Sequence, residues 1–356
     1  FTTQNAIQQL KNYLEQNFSA QINLKELHWL TLPNSIFETK NNEVKNGVFG
    51  PDELKQLTNF FASATDNSIV ELKSGRYLLT KEFVITKKIV VRAQGNVEFV
   101  NGTDKTINGF FIIGEGGSLD ISGVTFNANF KDAGDVQAGI STPKDGLLHH
   151  YTLKVSNCIF KDFNESGYNP IRGTKNSLAD KIEISDCQFS GSAGTCIDFS
   201  AEKEDKGIYN VEDLSIANSI FYNNLGPAIN VYRGGTDEST TGPSVTINHC
   251  VFDNVDNREQ SFVVKLLGAQ TARVTNSIFN NSGSGGRSIW FEELSWDDIK
   301  VDFCNFYKSG RVQTFHNKLL GKHNINIDPH FQSGYKISKT SALYKKGADA
   351  ENIGLK

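Results

Sequence analysis

The hydrophobic pattern alternates with a period of two along most of the chain, and Gly- and Asn-rich clusters separate the alternating segments. This pattern predicts short β-strands with one buried side. Seven segments share a pattern that ends in Phe. They are "LDISGVTF" at Phe126, "LKVSNCIF" at Phe160, "IEISDCQF" at Phe189, "LSIANSIF" at Phe221, "VTINHCVF" at Phe252, "ARVTNSIF" at Phe279 and "VDFCNF" at Phe306. From Phe160 onwards the intervals are 29, 32, 31, 27 and 27 residues, which indicates stacked supersecondary units.

The repeat predicts an all-β fold, a right-handed parallel β-helix with about three short strands in each turn. A propeller blade would need four antiparallel strands and usually a longer repeat. Four of the five cysteines stand two residues before a repeat Phe, which predicts an interior ladder of small apolar side chains. No cysteine belongs to a CxxC pair or has zinc-site spacing.

The N-terminal segment has a helical rather than a β pattern. "AIQQLKNYLEQ" places apolar residues on one helical face, and in "GPDELKQLTNFFAS" Pro51 precedes the first-turn acids Asp52 and Glu53. An amphipathic helix is a suitable cap for the apolar end of a solenoid. We therefore expect three parts: a helical cap at 1–64, the β-helix at 65–330 and a C-terminal tail at 331–356.

The strand after each repeat Phe predicts which side chains face outward. Alternation predicts that Phe262 points inward. Stacked strands lie about 4.8 Å apart, so the outward-facing residues of successive turns should form one row on the surface, which we call the predicted stripe. Its members are Arg172, Asp198, Asn230, Tyr232, Lys265, Trp290 and Glu292, with Arg233 at its lip and His316 at its edge. Aromatic rings can stack on sugars, and guanidinium groups pair with carboxylates, so the predicted stripe suits an extended acidic polysaccharide. The alternative is a solvated β surface with incidental ion pairs.

The segment "AINVYRGGTDESTTGP" starts as a strand and then turns sharply. Gly234 and Gly235 permit a tight turn with positive φ. Asp237 and Glu238 could orient the Arg233 guanidinium or could hold a cation such as Ca²⁺, and two carboxylates alone favour the first role. Asp198 and Glu202 are a second candidate pair for a cation.

Composition excludes some classes of partner. The 356 residues are 38% hydrophobic and 21% charged, and the net charge of −4 gives no global basic field for nucleic acid. No apolar run approaches the roughly 20 residues of a membrane span. The chain begins at Phe1 with neither an initiator Met nor a signal peptide. We expect a secreted, periplasmic or cell-surface protein, and a removed secretion signal would be compatible with a chain that begins at Phe1.

"YRGGTDEST", with the following Gly242–Pro243, resembles the signature of the C-terminal β-helix of two-domain enzymes in polysaccharide lyase family 6. "AEKEDKGIYN" at 201–210 and the repeated "NSIF" fit the same domain, and the resemblance covers roughly Pro51 to Asn317. The family is similar in fold to chondroitinase B. The resemblance implies alginate or a related uronate polymer as substrate and β-elimination as the reaction. It also implies a carboxylate neutralised often by Ca²⁺, a Lys that takes the C5 proton and an Arg that assists the departing O4.

The chain departs from the family in its catalytic motif. The family's catalytic half carries an Asn and two Glu for Ca²⁺, then a Lys, and then an Arg followed by His-Gly. This chain has the strand Ile229–Tyr232 and "WFEE" at the corresponding places. The resemblance therefore implies the accessory half of these enzymes.

Three hypotheses about function follow. The first is a lyase, with Lys265 as base, Arg233 as acid or carboxylate clamp, and Asn230 or a cation near Asp198 and Glu202 as neutraliser. The second is a non-catalytic module that binds the polysaccharide or packs on a catalytic domain or a second copy of the chain. The third is a pectinase-type hydrolase, which needs clustered aspartates; the adjacent Asp pair in "WDD" lies in a predicted turn.

Overall fold

The chain forms a parallel β-helix, as the repeat predicts. The structure, a computed structural model, describes residues 44–144, 149–202, 208–233, 243–292, 298–314 and 320–356. Residues 44–356 form one compact unit. No helix in the described ranges is long and apolar enough to cross a bilayer.

Two parallel sheets wind around the core. The sixteen-stranded sheet bends through the long strands β2, β4 and β6 and so has two arms. The first arm consists of β1 (Asn46–Phe49), β2 (Ser68–Leu79), β4 (Lys88–Asn101), β6 (Ser118–Asn127), β8 (His149–Ser156), β11 (Ser177–Ser185), β14 (Val211–Ala217), β17 (Ser244–Asn248), β20 (Thr271–Thr275) and β23 (Asp298–Asp302). The second arm continues with β9 (Ile159–Lys161), β12 (Gln188–Ser190), β15 (Ile220–Asn224), β18 (Val251–Val255), β21 (Ile278–Asn280) and β24 (Asn305–Tyr307).

The nine-stranded sheet forms the remaining side of the solenoid. Its strands are β3 (Phe83–Ile85), β5 (Phe111–Ile113), β7 (Ala138–Ser141), β10 (Asn169–Arg172), β13 (Ile197–Phe199), β16 (Ile229–Tyr232), β19 (Phe262–Leu267), β22 (Arg287–Glu292) and β25 (Arg311–Gln313). Every pairing in both sheets is parallel, and successive turns of the chain contribute successive strands. A residue in one turn therefore lies directly beside its counterpart in the next.

The repeat phenylalanines form a continuous interior ladder. The rings of successive members from Phe126 to Phe306 stack with centroid distances of 4.5 to 5.0 Å and interplanar angles of 4 to 15°. Most of these side chains are fully buried. Because the ladder spans every turn from β6 to β24, it fixes the stacking register of the second arm.

The cysteines occupy the predicted interior position. Ser219 and Ser277 fill the same place in the turns that lack a cysteine there, and all five cysteines are unpaired and buried. Burial raises the pKa of the Cys196, Cys250 and Cys304 thiols to about 12. These thiols are packing residues.

The residue before each repeat Cys or Ser makes the bend between the two arms, and in most turns it is Asn or Asp. In each turn one residue takes a left-handed conformation, which Asn and Asp tolerate better than most residues. The members are Asn157, Asp186, Asn218, His249, Asn276 and Phe303, with φ between 49° and 55°. This conformational need explains the sequence motif before each Phe.

Helix α1 (Leu54–Ser63) closes the N-terminal end of the solenoid and confirms the helical cap there. A 3₁₀ turn (Pro51–Glu53) precedes it with Pro51 in the first turn, and the Glu53 carboxylate accepts a bond of 2.6 Å from the Gly50 N–H. Phe61 packs its ring 5.0 Å from Phe83 at the end of the core. The earlier segment "AIQQLKNYLEQ" lies outside the described residues.

The C-terminal segment packs along the outside of the second arm and contains a short 3₁₀ turn (Ser333–Tyr335). Val251 and Ile278 point outward from the sheet, yet they are fully buried because Ile337, Leu343 and Ile353 cover them. The Tyr335 hydroxyl also donates to Asp253 at 2.9 Å. The predicted boundaries at 64/65 and 330/331 stay predictions.

Candidate functional site

One residue from each strand of the nine-stranded sheet stands in a single outward-facing line, which we call the outward row. Strand register places each member directly beside the next. From the N-terminal end the members are Val84, Ile112, Ser141, Arg172, Asp198, Asn230, Lys265, Trp290 and Gln313. Five of them belong to the predicted stripe, so the structure brings together Arg172, Asp198, Asn230, Lys265 and Trp290.

Hydrogen bonds hold the middle of the outward row in place. Arg172 donates from Nε to Ser141 Oγ at 3.1 Å, and its two terminal nitrogens have no hydrogen bond or ion pair with the described residues. Ser200 donates to Asp198 Oδ1 at 2.5 Å and accepts from Asn230 Nδ2 at 2.9 Å. Burial lowers the pKa of Arg172 and the neighbouring Asp198 charge opposes this effect. The result is an ordered polar surface with one guanidinium fork available.

Trp290 lies between two cations at the C-terminal half of the outward row. Lys265 Nζ and the Arg287 guanidinium carbon each lie 4.1 Å from the centre of the indole. Lys265 reaches the ring from the neighbouring strand β19. Arg287 lies on the same strand as Trp290 and also donates a hydrogen bond to Gln313, the residue that pairs with Trp290 on strand β25. Both cations are thereby oriented by one half-buried ring.

Phe262 does not point inward as predicted. It is half-buried, and its ring lies 6.1 Å from Trp290 and 5.4 Å from Lys265 Nζ. Simple alternation fails in β19 because Val263 and Val264 are both buried in succession. The side chain therefore joins the aromatic group around Lys265 on the surface.

The prediction that Arg233 lies at an exposed lip is wrong. Arg233 directly follows Tyr232 at the end of β16, where alternation turns the next side chain inward, and it is only 4% exposed. Gly268 leaves room for it, because a Cβ there would lie 2.9 Å from Arg233 Cβ. Its Nε and Nη2 have no hydrogen-bond partner within the described ranges. The burial corrects the predicted position only, and the predicted catalytic role of Arg233 stays a prediction.

The calcium role predicted for Asp198 and Glu202 stays a prediction. Glu202 is 3% exposed and accepts the Asn176 N–H at 2.6 Å, so it anchors a turn. No group of three His, Cys, Asp or Glu in the described part of the chain could hold a metal ion. Ca²⁺ takes six to eight oxygen ligands, so these two carboxylates would need further oxygen ligands to hold it.

Several predicted residues fall outside what the structure describes. They are Gly234, Gly235, Asp237, Glu238 and His316, together with the side chain of Glu292, whose backbone ends β22. Tyr232 is described and is half-buried at the end of β16. The roles of all these residues stay predictions.

Sequence reasoning missed four residues of this surface. Arg287 and Arg311 face each other in register beside the C-terminal half of the outward row, and Val84 and Ile112 begin it. Period-two alternation from Trp290 places Arg287 inward, because the two residues are three positions apart. The irregularity between Arg287 and Ile289, where Ser288 and Ile289 are both buried, breaks this alternation. Val84 and Ile112 come before the first repeat Phe, Phe126, so the repeat does not predict which way they face.

Structural comparison identifies similar proteins. Two solved structures of AlyGC, an alginate lyase of polysaccharide lyase family 6, match with TM-scores of 0.69 and 0.67, the second being a point mutant. Their sequences are 27% and 26% identical to this chain over 80% of its length. The chain resembles family 6 alginate lyases in fold and sequence. No family model and no curated protein sequence matches it.

The resemblance extends over part of the lyase only. The chain matches 40% of the length of AlyGC, less than half of that protein. The family 6 likeness predicted from "YRGGTDEST" is thus confirmed at the level of fold and class. The catalytic activity of AlyGC as a whole does not transfer to this chain by similarity alone.

Proposed function

We propose that this chain is a non-catalytic β-helix of a family 6-like alginate-degrading protein and that it binds an acidic polysaccharide along the outward row. The observation that carries the proposal is the alignment of Arg172, Lys265 and Trp290 in one register line along the solenoid axis. Neighbouring positions lie about 4.8 Å apart. This spacing is similar to the length of one pyranose residue in an extended chain, so successive sugars would meet successive turns.

The charge of this surface supports a polyanionic ligand. The outward row and its flank carry Arg172, Lys265, Arg287 and Arg311, against the single carboxylate of Asp198 among the described members. The whole chain is net negative at −4, so these cations form a local patch. Guanidinium groups pair with carboxylates in a bidentate fork, and alginate carries one carboxylate on every sugar.

The position of Lys265 favours binding over catalysis. A general base must be unprotonated before it takes the C5 proton, whereas contact with an aromatic face stabilises the charged ammonium. Lys265 Nζ lies 4.1 Å from the Trp290 ring and 5.4 Å from the Phe262 ring. Two aromatic contacts thus favour the charged ammonium, which attracts carboxylates.

A lyase remains the second candidate, because Asn230 and Lys265 are direct neighbours in register. Asn230 would bind the carboxylate and Lys265 would take the C5 proton. The C4–O4 bond would then break as the C4–C5 double bond forms. Arg233, the predicted acid, is only 4% exposed, which weighs against this candidate.

The match to 40% of the length of AlyGC supports packing on a catalytic lyase domain, and packing on a second copy of the chain is the alternative. We also propose a secreted, periplasmic or cell-surface location, where such polysaccharides occur.

Ultraviolet absorbance of the unsaturated uronate product separates the two candidates. Purified chain is mixed with polymannuronate and polyguluronate, and binding is measured on the same samples by affinity electrophoresis. We expect retardation without any rise in absorbance. A rise that disappears in Lys265→Ala would overturn the non-catalytic proposal, and absence of retardation would overturn the binding proposal.

A further inference from the structure

A cavity of about 290 Å³ lies at the N-terminal end of the outward row. Residues that line it include Glu82, Val84, Ile112, Ser141, Lys144 and Arg172. Small-molecule pockets in proteins typically span about 300–1,000 Å³, so this cavity is at the lower limit of that range. Its size suits one sugar ring rather than several.

The floor of the cavity is apolar, unlike the rest of the outward row. Val84 is 52% exposed, and Ile112 beside it is half-buried. Exposed aliphatic side chains next to each other on a sheet surface can pack against the C–H face of a pyranose ring. The polar members of the outward row begin only at Ser141, one strand further along.

One end of the cavity presents cationic groups. Arg172 is anchored through Nε to Ser141 Oγ at 3.1 Å, which leaves its terminal nitrogens without a hydrogen bond to any described residue. Lys144 is exposed on the adjoining wall. That wall is held in place because Thr142 Oγ1 and Thr174 Oγ1 are 2.7 Å apart and Thr174 also bonds to the Pro143 carbonyl.

The opposite flank presents an anion. Burial opposes the charge of Glu82, but hydrogen bonds from the backbone of Glu82 and Asn108 and from the Asn108 side chain outweigh it and lower the pKa. Glu82 Oε1 accepts the Asn108 N–H at 3.0 Å and Nδ2 at 2.8 Å. A charged acceptor here would bind a sugar hydroxyl and repel a carboxylate, so a bound uronate would direct its carboxylate towards Arg172.

We infer that this cavity is a subsite for the uronate residue at one end of a bound polysaccharide, with its ring on Val84 and Ile112 and its carboxylate on the Arg172 fork. The inference rests on the proposed function, since it places one end of the same ligand. It assigns an orientation to that ligand: the chain runs along the outward row and stops where the nine-stranded sheet ends at β3.

Calorimetric titration with a mannuronate trisaccharide and with the neutral β-1,4-mannose trisaccharide tests the subsite. The variants are Val84→Glu, Arg172→Gln and, as a matched control for an added charge, Leu225→Glu at a 71% exposed position away from the outward row. We expect Val84→Glu and Arg172→Gln each to weaken trisaccharide binding at least tenfold, Leu225→Glu to leave it unchanged, and the neutral sugar to bind wild type at least tenfold more weakly.

The outcomes separate the subsite from the proposed function. Trisaccharide affinity unchanged by Val84→Glu and Arg172→Gln, with polymannuronate still retained by the wild type, would overturn the subsite alone. Equal binding of the neutral trisaccharide would overturn the role of the Arg172 fork. Failure of the wild-type chain to bind polymannuronate at all would overturn the proposed function and the subsite together.

Discussion

Lys265 Nζ lies 4.1 Å from the centre of the Trp290 ring on the next strand, and Arg287 approaches the same ring at the same distance. A cation at this distance from an indole gains about 0.5–2 kcal/mol, depending on its exposure to solvent. The ring thus fixes two positive charges at neighbouring places on an exposed sheet. The strand register of the fold thus places these charges together on the surface where we propose that a polyanion binds.

Replacing Trp290 tests this arrangement. Trp290→Ala should weaken polymannuronate binding about tenfold, equal to about 1.4 kcal/mol, because both flanking cations lose the surface that orients them. Trp290→Phe keeps an aromatic face and should retain most of the affinity. Affinity electrophoresis across a polymer concentration series gives both values. Equal losses in the two variants would mean that the ring does not position the cations.

The phenylalanine ladder should dominate stability. Phe221 is fully buried and stacks on Phe189 and Phe252 at 4.7 and 5.0 Å. Phe221→Ala should lower the free energy of unfolding by about 3–5 kcal/mol in urea denaturation, because it leaves a cavity in the core. Leu225→Ala, at a 71% exposed position four residues later, should change it by less than about 0.5 kcal/mol. Similar effects of the two substitutions would contradict the ladder's role.

The C-terminal segment should make stability depend on acid pH through Asp349. Burial opposes its charge, but hydrogen bonds from Lys356 and His249 outweigh it and hold the pKa of Asp349 well below its usual value. A lowered folded-state pKa contributes stability above the unfolded pKa of about 3.9, and this contribution is lost as pH falls below that value.

Asp349→Asn should therefore lower the melting temperature at pH 7, and the gap to wild type should narrow towards pH 3. The exposed Asp104→Asn is the matched control and should show no such gap. A gap for Asp349→Asn that stays constant from pH 7 to pH 3 would show that the carboxylate charge does not hold the segment.

The thiols should be unreactive in the folded chain. All five cysteines are buried, and burial raises the pKa of Cys196, Cys250 and Cys304 to about 12, so thiolate is scarce at neutral pH. A colorimetric thiol assay should detect fewer than one group per native chain and all five in denaturant. Rapid reaction of several thiols without denaturant would contradict the interior positions.

The fold could be predicted because its determinants repeat. Most turns carry the same Phe, a Cys or Ser two places earlier and a left-handed Asn or Asp before it, so one misread turn does not change the result. Val251 and Ile278 are a further signal in the sequence. An apolar residue next to an inward Phe must face outward, so it indicates a covering segment, which the structure shows to be the one from Ile337 to Ile353.

The site could be predicted only where alternation holds. Arg172, Asp198, Asn230, Lys265 and Trp290 were placed correctly because each stands between two buried neighbours in its strand or at its end. The predictions for Arg233 and Phe262 were wrong for local reasons. Arg233 comes directly after Tyr232, so alternation turns it inward. After Phe262 the alternation is interrupted, because Val263 and Val264 are both buried. The contacts of Arg287 depend on a register shift that no periodicity reveals.

The binding isotherm of polymannuronate on two matched lysine variants tests most directly whether the outward row is the binding surface. Lys265→Ala removes a cation from the outward row, whereas Lys154→Ala removes an exposed one from β8 in the sixteen-stranded sheet. We predict a three- to tenfold loss of affinity for Lys265→Ala, about 0.6–1.4 kcal/mol, and a weaker dependence on salt. Lys154→Ala should bind as the wild type does. Equal affinities of the two variants would show that the polysaccharide does not bind along the outward row.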